Sequence, residues 1–213
     1  MSTPDDERIA LFLDYENLAI GTREQLSGMQ FDLKPVADAL AERGRVVTRK
    51  AYADWTYFDE DRRMLTRSHV ELIEIPQRRG AVRKNAADIK MAVDAMELAF
   101  ERDYITTFVI GTGDSDFTPL VYKLRELNKR VIGVGVKAST SALLPPACDE
   151  FLFYENLDGV DLLAPQTRDR SSARGTGGEP PAEESSASKS LEDLDRLIAT
   201  TISGLQRTGQ GAV

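Results

Sequence analysis

Short apolar runs recur along the first three quarters of the chain, each followed by turn or polar residues. Ile9–Leu13, Val46–Ala51, Val70–Ile75, Phe108–Ile110 and Val131–Val136 are rich in branched side chains, which predicts five strands. Runs so nearly continuous suit a parallel sheet covered on both faces. Helix-like patterns lie between them at Lys34–Arg43, Phe58–Arg67, Ala86–Glu101 and Phe117–Asn128. The alternation predicts an α/β fold, a Rossmann-like three-layer sandwich whose central, mainly parallel sheet has five to six strands. The sixth is Phe151–Tyr154, a strand or an edge. Within Ala86–Glu101, Ile89, Val93, Met96 and Phe100 fall at three- and four-residue spacing, so this stripe is expected to face the core.

The pattern stops after about Ala164. Residues 1–160 read as one domain, and 161–188, rich in Gly, Pro, Ser and charge, read as a disordered linker. Helix periodicity returns in 189–213, where Leu191, Leu194, Leu197, Ile198 and Ile202 line one face of Ser190–Leu205. An isolated amphipathic helix cannot bury that face alone. It is expected to dock on a protein partner, or to open a second module of which the rest is missing.

Composition narrows the chemistry. The 213 residues suffice for one sizeable domain and a small appendage. With 35 acidic against 27 basic residues the net charge is −8, so any contact with nucleic acid must be local. One cysteine (Cys148) and one histidine (His69) exclude an intrachain disulfide and a Cys/His zinc cage, and leave little scope for a Ser-His-Asp device. The start lacks a basic stretch followed by an apolar run, and no segment approaches the roughly 20 apolar residues of a membrane span. The reading is a soluble, cytoplasmic protein with no membrane contact and with its chemistry resting on carboxylates.

Ligands of an open parallel sheet sit beyond the carboxyl ends of strands, where strand order reverses. Asp14 follows the first run in L-D-Y-E-N. Asp114 and Asp116 follow the fourth in G-T-G-D-S-D-F, and Asp88 opens the helix after the third in R-K-N-A-A-D-I-K. Carboxylates gathered at one edge repel one another, and a hard divalent cation held by oxygens is the usual remedy. Mg²⁺ or Mn²⁺ is expected; such an ion activates water and stabilises a phosphoryl group during phosphodiester hydrolysis.

These three motifs, D-Y-E-N, K-N-A-A-D-I-K-M-A-V-D and G-T-G-D-S-D-F, taken in order, resemble the NYN-domain family, in its LabA-like branch, within the PIN-like nuclease superfamily. The resemblance covers roughly residues 8 to 156. It implies a PIN-like sheet and a metal-dependent endoribonuclease cutting single-stranded RNA. Asp14, Asp88, Asp114 and Asp116 would be the metal ligands, and Asn17 would join them as the residue orienting the cluster or its water. Asp94 stands about 240° around the helix from Asp88 and is expected only to support. Asn85 departs from the glycine that often follows the motif lysine.

Arg78, Arg79, Arg83 and Lys84 immediately precede Asp88 and are the candidate RNA-binding cations, with Trp55, Tyr57 and Phe58 as candidate stacking partners for bases. Gly133-Val-Gly135-Val-Lys-Ala138 fits a dinucleotide fingerprint but follows the fifth strand, a poor context for it. His69 and Cys148 read as structural residues. Gly111 and Gly113 are expected to permit the turn that aims Asp114. Two rival functions remain open. One is a haloacid-dehalogenase-like phosphatase, against which stand Glu16, where that family expects Asp, and Thr118, where it requires an acid. The other is a regulatory module that holds RNA on the same fold without cutting.

Overall fold

The computed structural model describes residues 7–75 and 85–161. Arg78, Arg79, Arg83, Lys84, the expected linker and the helix expected at Ser190–Leu205 lie outside the described residues. Six strands, β1 (Arg8–Asp14), β2 (Arg45–Ala53), β3 (Glu71–Glu74), β4 (Thr107–Gly111), β5 (Arg130–Gly135) and β6 (Glu150–Phe153), form one sheet in the order β3-β2-β1-β4-β5-β6. Every pairing is parallel. The helices are α1 (Tyr15–Gln25), α2 (Leu33–Ala41), α3 (Asp59–Arg67), α4 (Ala86–Glu101) and α5 (Thr118–Glu126).

The period of two along β1 sends Ile9, Leu11 and Leu13 to one face of the sheet and Ala10 and Phe12 to the other. Val109, Ile132 and Val134 join the first face, which is covered by Leu18 of α1, Val36 and Leu40 of α2 and Leu65 of α3. Phe108, Ile110 and Val131 join the second, covered by Met91, Ala95 and Leu98 of α4 and Leu120, Val121 and Leu124 of α5. Both faces are dry, so the strands read as unbroken apolar runs, and the three layers expected from the sequence are present. No helix among the described residues is long and apolar enough to cross a membrane.

The structure corrects three expectations. Of the stripe Ile89, Val93, Met96 and Phe100 only Met96 reaches the core, half-buried against the cluster under α4 and α5: Ile89, Val93 and Phe100 are 63, 56 and 63% exposed, while Met91, Asp94, Ala95, Leu98 and Ala99 are buried. Two rows of α4 share the same period, and the sheet takes the one with alanines, which let the helix approach closely. Asp94 is accommodated there because it accepts hydrogen bonds from Tyr52 Oη (2.8 Å) and Lys90 Nζ and lies beside Lys50. Burial pushes its carboxyl up, but these bonds and the Lys50 charge outweigh burial and hold it below its ordinary value.

The second correction concerns α1, for which the sequence predicted no element. Its stripe is blurred by Gly21 and by Ile20, which is exposed. The third concerns the aromatics. Trp55 and Phe58 are buried, with ring centroids 5.2 and 5.4 Å from that of Tyr15, and Phe31 packs at 5.8 Å on the same ring. Of the three proposed stacking residues only Tyr57 lies on the surface.

Candidate functional site

Strand order reverses between β1 and β4: the chain leaves β1 toward β2 and β3, then returns to β4 on the other side. The crevice beyond the carboxyl ends of these two strands is where a doubly wound sheet binds its ligand. Asp14 is the last residue of β1, and Thr112, Gly113 and Asp114 follow β4 directly.

Asp14 is 8% exposed and serves two structures at once. One carboxylate oxygen accepts the Asn17 backbone N–H at 3.3 Å and so caps α1. The other accepts the Thr112 hydroxyl at 3.0 Å. Its pKa is pushed up to about 7, first by burial and then by the charge of Asp88 and, more weakly, Glu16, against the lowering effect of the two hydrogen bonds. Asp88 lies half-buried in the first turn of α4. Its pKa is pushed up to about 6 by burial, then by Asp114, Asp116 and Glu16. Five acids from three segments therefore share one field.

The lattice that holds them is made of small groups. Thr112 is fully buried; its hydroxyl donates to Asp14 and accepts the Asp114 N–H at 3.1 Å, linking the two carboxylate-bearing residues. The Asn17 side-chain oxygen accepts the Gly113 N–H at 2.8 Å, so Asn17 fastens the β4 loop to α1. Asp114 caps the 3-10 turn Ser115–Phe117 through the Asp116 N–H at 2.9 Å, which leaves Asp116 exposed at the rim. Asp116 is thus not the cap of the helix that follows, which starts one residue later than expected, at Thr118. Glu16 accepts the Asp54 N–H at 2.9 Å and reaches the site from the side of β2.

Thr112 and Glu16 are the two residues that the motif reading did not place in the site. Thr112 sits between two glycines directly before Asp114, and Glu16 lies two residues after Asp14 in the same D-Y-E-N string. Their roles depend on contacts across the β1–β4 crevice and with β2, which no local pattern encodes. Asp88 and Asp116 also border an open groove of about 480 Å³ between α4 and α5, floored by Ala92, Met96 and Leu120. Asp94 stays in the packing beneath α4, apart from this group.

The other sequence candidates are structural. A Cβ on Gly133 would stand 2.3 Å from the Phe151 ring, so that glycine makes room for an aromatic side chain rather than for a nucleotide. His69 takes a left-handed turn (φ 56°) between α3 and β3. The Cys148 thiol is pushed up to about 11 by burial and then by Asp149, the wrong direction for a nucleophile.

No group of three or more His, Cys, Asp or Glu side chains among the described residues forms a ready-made metal cage. What the crevice offers is an open set of carboxylate oxygens, of which those of Asp14 and Asp88 have their pKa values raised by burial and by neighbouring acids. Carboxylate oxygens are the donors a hard divalent cation takes, and Asp14, Asp88 and Asp114 are the residues that would hold one. Thr112→Val keeps the shape of the side chain but removes both hydrogen bonds. We expect a loss of about 10- to 100-fold in metal affinity, as for other partners of metal ligands. Isothermal titration with Mn²⁺ measures it, and an unchanged affinity would show that the Thr112 bridge does not organise the acids.

A six-stranded parallel sheet flanked by helices on both faces is consistent with a PIN-like, Rossmann-type sandwich. A profile of the NYN domain matches residues 8–157, and the chain belongs to that family, which is generally a family of ribonucleases. An uncharacterized protein of Methanocaldococcus jannaschii is 31% identical over 147 residues, 68% of this chain and 54% of its own length. The chain thus spans about half the length of this relative. The crystal structure of a protein of unknown function from Vibrio parahaemolyticus is similar with a TM-score of 0.63 and 27% identity, covering 73% of this chain and 98% of that one.

Proposed function

We propose that the protein is a metal-dependent endoribonuclease of the LabA-like branch that hydrolyses single-stranded RNA with Mg²⁺ or Mn²⁺. The observation that carries this reading is the pair of raised carboxyls, Asp14 at about 7 and Asp88 at about 6, at the switch point of the sheet. Like charges held there without a counter-ion destabilise the fold, and a cation relieves them. When bound, the ion supplies Lewis-acid stabilisation of the phosphoryl group and a more acidic water. Asp14, Asp88 and Asp114 hold it; Asp116, at the exposed rim, holds it or orients the attacking water. Thr112 and Asn17 fix the positions of Asp14 and of the β4 loop.

The groove beside Asp88 and Asp116 is open enough for a single strand to reach the acids. Arg78, Arg79, Arg83 and Lys84 enter the chain directly before Asn85 and α4, and we assign them the phosphate backbone of that strand. The NYN match leaves the phosphatase reading without support. The test is cleavage of end-labelled single-stranded RNA by the purified chain with Mn²⁺, with Mg²⁺ and with chelator. Metal-dependent internal cuts are expected. RNA that is bound and never cut would replace this reading with the regulatory module.

A further inference from the structure

The outer row of α4 is apolar surface that holds none of the proposed metal ligands, although its Ile89 and Met96 also line the groove beside Asp88. Exposed Ile89, Val93 and Phe100, with half-buried Met96 between the last two, make an apolar stripe along three turns, about 16 Å at 1.5 Å per residue. Contiguous apolar surface of this kind marks an interaction site. Its 4-3-4 spacing is the d-a-d-a sequence of a heptad seam, the pattern of a helix that packs lengthwise on another. Lys90 and Glu97 then occupy e positions on one flank, both exposed, and Ala92 lies on the other.

We infer that this stripe is the interface of a homodimer in which α4 packs antiparallel on α4 of a second copy. The two-fold axis passes between Val93 and Met96, so Ile89 of each copy opposes Phe100 of the other and Val93 opposes Met96. In an antiparallel pair, e positions face e positions. Lys90 of each copy therefore meets Glu97 of the other, giving two equivalent ion pairs. A parallel pair would set Lys90 and Glu97 against the g-position alanines instead, so the charge pattern selects the antiparallel arrangement. The ammonium of Lys90 has three donors, and its bond to Asp94 leaves others for Glu97. A two-fold contact needs only this one self-complementary surface. The dimer sets the two Asp88 residues about 20 Å apart along the helix axis, with each partner helix beside the groove of the other copy.

The full chain is tested by sedimentation equilibrium from micromolar to submillimolar concentration. The wild type is expected to approach twice 23.6 kDa. Val93→Glu, at a position already exposed in one copy, is expected to stay at 23.6 kDa and to melt with the wild type only at dilutions where the wild type is itself monomeric. Glu97→Lys turns two attractions into repulsions and should weaken the dimer about tenfold or more. A wild type that remains at 23.6 kDa overturns the second copy as occupant and leaves the stripe to the chain's own segment 190–205 or to another protein. Dimerisation unaffected by Val93→Glu overturns the interface, and dimerisation unaffected by Glu97→Lys overturns the antiparallel register.

Discussion

Asp14→Asn is expected to slow metal-dependent RNA cleavage about a thousandfold, while the chain keeps its fold. Lewis-acid assistance from a bound ion is worth several kcal/mol of transition-state stabilisation, and each ~1.4 kcal/mol is tenfold in rate. Asp14 is the most buried of the proposed ligands and the one tied to both sides of the crevice, through Asn17 and Thr112. Single-turnover rates at saturating Mn²⁺ separate lost chemistry from weakened RNA binding. A variant that cuts within a few-fold of wild type would remove Asp14 from the site.

The same substitution has a second signature that does not depend on activity. The Asp14 carboxyl rises from 3.8 to about 7 on folding, so the native state binds a proton there that the unfolded chain has released. The carboxyl is without penalty below 3.8; its penalty grows as pH rises and is complete above about 7, where it amounts to a few kcal/mol. In chelator, Asp14→Asn should therefore melt above wild type at alkaline pH, with the gain shrinking through neutrality and vanishing toward the ordinary carboxyl range. The gain is trimmed because the Asn17 N–H and the Thr112 hydroxyl donate to different carboxylate oxygens, and one of those becomes an NH₂ that cannot accept. Mn²⁺ should raise the melting temperature of wild type far more than that of the variant. A variant that melts below wild type at alkaline pH would mean that Asp14 is not a repelled charge in the metal-free fold.

Much of this arrangement is legible in the sequence, for stated reasons. A parallel sheet buried on both faces must be written in continuous apolar runs, and the β1, β4 and β5 runs are of that kind. Strand ends at a switch point must carry the ligand-binding residues, and Asp14 and Asp114 stand at such ends. Their other reading, as caps, is what the hydrogen bonds show: Asp14 caps α1 and Asp114 caps the 3-10 turn, so the oxygens proposed for chemistry also hold the backbone. Periodicity failed where two rows of one helix carry the same period. In α4 it identified a face but could not say which face meets the sheet, because that depends on Ala95 and Ala99 permitting close approach and on Tyr52 and Lys50 waiting for Asp94. Composition likewise could not show that Trp55 and Phe58 close an aromatic cluster around Tyr15. Thr112 was invisible because a threonine between glycines acquires its role only from Asp14, some hundred residues earlier.

Gly113→Ala is expected to cost about a hundredfold in cleavage and about 1–3 kcal/mol in stability, a large effect for one methyl group. A Cβ at this position would lie 2.8 Å from the Ser139 carbonyl oxygen and 3.1 Å from Thr140 Cα. Both are backbone atoms, and the Ser141 N–H donates to the Gly113 carbonyl at 2.8 Å, so the facing segment cannot swing away cheaply. The β4 loop must lift instead. Lifting it stretches the bond from the Gly113 N–H to Asn17 and carries Thr112 and Asp114 away from Asp14, and a displacement near 1 Å in such a constellation costs about a hundredfold in rate. Thr112→Val removes hydrogen bonds and leaves the backbone in place, whereas Gly113→Ala keeps every polar group and moves the backbone. The two variants should therefore differ in how the loss responds to metal. Excess Mn²⁺ restores most of the activity of Thr112→Val, whose defect is affinity, and restores little to Gly113→Ala, whose ligands no longer converge. Full rescue of Gly113→Ala by metal would show that the loop tolerates the shift and that its tight seat on residues 139–141 is unrelated to catalysis.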